Sequence, residues 1–236
     1  MARARKTTTD EAETLSAGPT LPSSAPLYHP SAPWLLATMV ALMSIVELGL
    51  LGSDYGLWGS SRLRQSAYEW YGFWPGLLQG WDPNYTLQPY TMFLSYAGLH
   101  GGPGHLAMNM ITLWSLGAEI IARVGRLRFI VLYLGTAIGG AAGYGLLATT
   151  IQPMVGASGA LFGLAGGLMA WAYVDRFTAR AGLWPIARVA ALLIAINIAM
   201  YWALDGQLAW QTHLGGFLAG WVLAMLIDPR GRPADP

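Results

Sequence analysis

The chain has 236 residues, of which 54% are hydrophobic and only 11% charged, and its formal net charge is +1. So few charges cannot cover a soluble domain, where about 25% is usual, and the mean hydropathy of +0.42 makes an integral membrane protein in a lipid bilayer the expectation. The near-zero charge offers no basic field for nucleic acid, and the absence of cysteine removes disulfides, a thiol nucleophile and a Cys-based metal site together.

Residues 1–33 are rich in Thr, Ser, Pro and charge and read as a disordered tail. Arg3, Arg5 and Lys6 open it, but a polar stretch over 7–16 separates them from any apolar region, so the tail reads as retained and not as a cleaved signal peptide. The first apolar run covers 34–52, close to the roughly 20 residues a spanning helix needs. Glu47 lies inside it. An acid there is costly and is expected near the outer end, facing a partner helix or water. Residues 53–104 are a long connection crowded with Trp, Gly and Pro, too apolar for a free linker and too broken to span. Short elements at the membrane interface are expected there, with 90–99 readable as strand or helix.

Five further spans follow, over 105–121, 129–149, 158–174, 186–204 and 210–227. The third carries Gly135, Gly139 and Gly143 at four-residue spacing, and the sixth Gly216-x-x-x-Gly220; such spacing puts small residues on one helix face for close contact. Residues 228–236 form a second tail. Six spans put both ends on one side. Eleven of the thirteen Lys and Arg residues then share that side, and only Arg62 and Arg64 fall on the other, so both termini are expected in the cytoplasm. The predicted fold is an all-α, six-helix membrane bundle.

Spans two, four and six then run from outside to inside. His105 and Asn109 fall in the first turns of span two, Ser158 in the first turn of span four and His213 in the first turn of span six. Topology alone brings these polar groups to one depth near the outer face, which scattered structural residues have no reason to do. Each has an ordinary alternative: Ser158 as a helix cap, His213 as an interfacial residue, Asn109 as interhelical glue, Gly156 and Gly159 as packing. Together they fit acyl transfer, which needs a nucleophile, a base and donors for the oxyanion. Ser158 is the nucleophile and His213 the base. The Ser158 N–H, free at a helix start, joins His105 and Asn109, which share a face at i and i+4. Gly156 and Gly159 let a substrate backbone approach. Phe162, one turn beyond Ser158, is either ordinary core or a ring against His213. No acid stands beside His213 in sequence, so a dyad is expected. Four histidines without cysteine or clustered acids make no metal site, and no cofactor is implied.

The chain resembles the rhomboid family of intramembrane serine proteases. The resemblance rests on His105-x-x-x-Asn109, Gly156-x-Ser158-Gly159 and His213-x-x-Gly216-x-x-x-Gly220, with His100 and Glu119 also at family-like positions. It covers roughly 90–227. It implies that Ser158 attacks a peptide bond, with His213 as base and then acid, and that substrates are transmembrane proteins whose helices unwind near the outer face. It also implies a water-filled cavity open to the outside, with span five and the connection over 204–209 as gate and cap. Many relatives carry a Trp-Arg pair in the first outer connection; the stretch over 88–95 has none. A bacterial inner membrane is the expected location. Two other functions compete: a non-catalytic rhomboid-like protein that binds membrane clients, and a small transporter. The chain keeps both Ser158 and His213 against the first, and lacks an inverted repeat against the second.

Overall fold

A computed structural model describes residues 32–227, and every regular element in them is helical. The tails expected over 1–33 and 228–236 lie, apart from residues 32 and 33, outside the described residues. Eight α-helices follow in order: α1 (Ala32–Asp54), α2 (Leu63–Tyr71), α3 (Gln88–Ser95), α4 (Pro103–Val124), α5 (Arg126–Leu147), α6 (Ser158–Thr178), α7 (Trp184–Ala203) and α8 (Trp210–Leu226). Short 3₁₀ turns stand at Pro75–Leu78 and Tyr96–Gly98. Six helices match the six apolar runs. Three of them, Pro33–Asp54, Arg126–Leu147 and Trp184–Ala203, are long and apolar enough to cross a membrane by length and composition alone. The other three, α4, α6 and α8, are those that carry His105, Asn109, Ser158 and His213.

Local chemistry sets the boundaries. Proline occupies the first turns of α3, α4 and α7, where its missing N–H is no loss. Gly125, at φ +81°, ends α4 and starts α5, a left-handed turn that favours glycine.

Glycine also decides the packing. A side chain on Gly216 would collide with the Gly159 carbonyl, and one on Gly220 with that of Gly163. The α6 and α8 backbones therefore touch, as small-residue seams allow in lipid. The α5 glycines meet the opposite side of α8: a Cβ on Gly143 would stand 2.8 Å from Gly215 Cα, and one on Gly139 would strike Ala219. So α8 is clamped between α5 and α6, and its buried residues Thr212, His213, Gly216, Gly220 and Ala224 recur at helical spacing. Trp171 Nε1–H donates to the Ala224 carbonyl at 2.8 Å, closing the far end of the seam. A larger core cluster, including Leu36, Leu113, Ile120, Phe129 and Leu164, joins α1 to this unit. By contrast α7 has no buried residue.

The long connection between α1 and α4 is ordered by polar ties as well as aromatic packing. Arg64 on α2 pairs with Glu47 at 2.9 Å and Asp54 at 2.6 Å and donates to the His100 carbonyl at 3.0 Å. Burial works against the guanidinium's charge, but bonds to Glu47, Tyr68 and Asp54 more than offset this, and its pKa stands above the ordinary value. Glu47 is 1% exposed; it does not face water, and its partner is an arginine from the connection. A second core cluster, with Phe73, Met92, Tyr96 and Met154, lies beneath. Phe73 and Met154 exchange two backbone hydrogen bonds of 3.0 and 2.9 Å, so the connection holds the loop that leads into α6.

Candidate active site

Ser158 is the first residue of α6; Ala157 is the N-cap, and no side-chain capping bond forms there. The Ser158 hydroxyl is instead 2.9 Å from His213 Nε2. The two residues are 55 positions apart, and the glycine seam between α6 and α8 brings them together. Phe162, one turn into α6, stacks on the imidazole with ring centroids 4.1 Å apart and planes inclined by 8°. The histidine is thus held on one face by an aromatic ring and at one edge by the serine. His213 is 5% exposed and Ser158 half-buried.

The loop before Ser158 forms a cradle. Gly156 has φ +121°, a backbone conformation that suits glycine alone. A Cβ there would lie 2.8 Å from His105 Nε2 and 3.8 Å from Asn109 Nδ2, so both side chains from α4 lean over this residue. The Gly156 N–H donates to the Tyr96 carbonyl at 3.0 Å, fixing the loop. His105 Nδ1 accepts from the Gly101 N–H at 3.2 Å. That bond leaves the ring proton of a neutral imidazole on Nε2, aimed towards the Gly156 loop. Asn109 Nδ2 is buried without a hydrogen-bond partner. An idle buried donor costs about 1–3 kcal/mol, and it stands beside the free N–H groups at the start of α6.

The Rhomboid domain family matches residues 87–230, well over half of the chain. The chain belongs to the rhomboid family. It is 35% identical over 135 residues to RHOMBOID-like protein 4 of Arabidopsis thaliana, covering 57% of this chain and 33% of that protein. It is 32% identical over 126 residues to rhomboid protease GluP of Bacillus subtilis, covering 53% and 24%. It is 32% identical over 138 residues to rhomboid protein 1, mitochondrial, of Saccharomyces cerevisiae, covering 52% and 39%. The chain thus spans between a quarter and two fifths of the lengths of these relatives.

In this rhomboid the remaining predicted residues fall in three places. Gly159 lies against Thr212 and Tyr96: a Cβ there would be 2.6 Å from Thr212 Oγ1 and 3.0 Å from the Tyr96 hydroxyl. Gly216 and Gly220 form the seam below His213. His100 is fully buried and packs edge-on against His105, with centroids 5.3 Å apart. Neither of its ring nitrogens has a partner. Burial, and then the neighbouring His105, lowers its pKa to about 4, so it is neutral at pH 7. Glu119 is exposed, about 20 Å along α4 from His105 at the helical rise, and takes no part in the cluster.

One residue of the cluster belongs to none of the sequence motifs. Asn197 of α7 places its Oδ1 2.6 Å from His213 Nδ1. Among the described residues the group at His213 Nδ1 is an amide and not an acid. The available signal was a lone amide in an otherwise apolar span, a rare and expensive feature. Asn197 and His213 also line a cleft of about 490 Å³ between α7 and the α6–α8 pair, whose other walls include Phe162, Leu193, Leu214 and Phe217.

Proposed function

We propose that this rhomboid is an intramembrane serine endopeptidase that cleaves transmembrane proteins in or near their spans. The observation that carries the reading is the 2.9 Å contact between Ser158 Oγ and His213 Nε2 at the starts of two helices in an apolar bundle. Ser158 Oγ attacks the scissile carbonyl carbon while its proton passes to His213 Nε2. The carbonyl oxygen becomes an oxyanion held by the Ser158 N–H, His105 Nε2–H and Asn109 Nδ2–H. Idle donors beside the nucleophile support that role. His213 then protonates the leaving amine, and the acyl group remains on Ser158. Water, deprotonated by the same imidazole, releases it.

In this reading all six long helices span a bacterial plasma membrane, with both termini cytoplasmic and the site near the outer face. The distribution of Lys and Arg supports the orientation. The test is cleavage of a single-span substrate in liposomes by wild type, Ser158→Ala and His213→Ala. Both variants are expected to fall to background while melting like wild type. A Ser158→Ala protein that cleaves normally would mean that the activity resides elsewhere. If wild type neither cleaves nor reacts with a fluorophosphonate, the chain binds clients without catalysis.

A further inference from the structure

We infer that Asn197 is a positioning residue for His213, and that helix α7 is thereby a working part of the site. The inference rests on the protease reading above. Its geometry is specific. Asn197 Nδ2–H donates to the Leu193 carbonyl of its own helix at 3.0 Å, which turns Oδ1 outward. Oδ1 only accepts, so the 2.6 Å contact to His213 Nδ1 requires the proton on Nδ1. The Nε2 lone pair then faces the Ser158 hydroxyl, the tautomer a general base needs. The opposite tautomer would donate to Ser158 and could not take its proton. As the proton moves to Nε2 and the ring gains charge, the Nδ1–H bond to the amide oxygen strengthens. An amide does this without placing a carboxylate among apolar walls, where an ionised acid is costly.

A purely structural role fits less well. Asn197 is half-buried on a helix with no buried residue. Among the described residues, its bond to His213 is the only side-chain hydrogen bond joining α7 to another helix. Few groups compete for the imidazole. Ser158 and Phe162 face it from α6 and Asn197 from α7. The titratable groups nearby are His105 of α4, which leans over the Gly156 loop, and Tyr201 of α7, which lines the same cleft.

The experiment measures kcat, KM and the pH profile of kcat on a single-span substrate in liposomes for wild type, Asn197→Ala and Asn197→Asp, with Ser158→Ala as control. Asn197→Ala is expected to lower kcat about ten- to a hundredfold with KM unchanged. Asn197→Asp is expected to recover much of the rate at high pH and to move the acid limb upward. A carboxylate beside Nδ1 favours the charged ring, so the base is free only at higher pH. Nitrogen NMR of ¹⁵N-histidine wild type, with His213→Ala for assignment, is expected to show Nδ1 protonated. Wild-type kcat in Asn197→Ala, an unshifted limb in Asn197→Asp, or a proton on Nε2 would each overturn the inference and leave the protease reading intact. Activity in Ser158→Ala would instead remove the reading beneath it.

Discussion

Two regions of the bundle meet at His213 and are built in opposite ways. The α6–α8 seam is backbone against backbone, with Gly216 on the Gly159 carbonyl and Gly220 on that of Gly163. Helix α7 buries none of its residues and is joined to the other helices by a single side-chain hydrogen bond among the described residues. Ser158 and His213 thus sit on a contact of backbone against backbone, and Asn197 reaches His213 from the helix that buries no residue. A bond length within hydrogen-bond reach between residues 55 apart requires a seam that cannot slide. A helix bordering an apolar cleft needs no such constraint.

Substitutions at three positions test this contrast. Gly220→Val should have the largest effect, because the added branches meet the backbone of Gly163 and not a side chain that can turn away. A loss of at least about 3 kcal/mol in stability and cleavage at background are expected, read by thermal unfolding in detergent and by substrate turnover. A Gly220→Val protein that melts like wild type would show that the seam is not rigid. Phe162→Ala should come next. It removes the ring stacked on His213, a contact of about 0.5–1.5 kcal/mol, and should lower kcat roughly two- to tenfold. Phe162→Tyr should stay close to wild type, and equal losses in the two variants would assign the effect to something other than stacking. Leu192→Ala on α7 should be nearly silent. Leu192 is 59% exposed, and a change within about 0.5 kcal/mol is expected. A loss of several kcal/mol there would mean that α7 is packed as tightly as α8.

The tight region was far more legible in the sequence than the loose one. Glycines at four-residue spacing state which faces touch, and the alternation of spans brings Ser158, His213, His105 and Asn109 to one end. Both inferences need only helix period and direction. Asn197 could not be found that way, since its meeting with His213 depends on how α7 is rotated, and an apolar helix with no buried stripe carries no pattern that fixes rotation. The long connection between α1 and α4 was opaque for a different reason. Arg64 was visible only as one of two basic residues on the outer side, yet it joins Glu47, Asp54 and the His100 carbonyl. Those partners lie 17, 10 and 36 residues away, and no local periodicity links them. The stretch over 88–95 without a Trp-Arg pair is helix α3, and Arg64 provides an arginine tie in the connection from another element.

The paired backbone bonds between Phe73 and Met154, with the Gly156 N–H on the Tyr96 carbonyl, have a consequence in the order of synthesis. Residues 73 and 96 leave the ribosome before residues 154–158. The strand-like edge and the carbonyl that shape the turn before Ser158 are therefore already in the chain when that turn emerges, and α8, which carries His213, follows later. The turn into α6 is thus laid on a template made earlier, so a lesion near Phe73 or Tyr96 is expected to displace Ser158 without touching it.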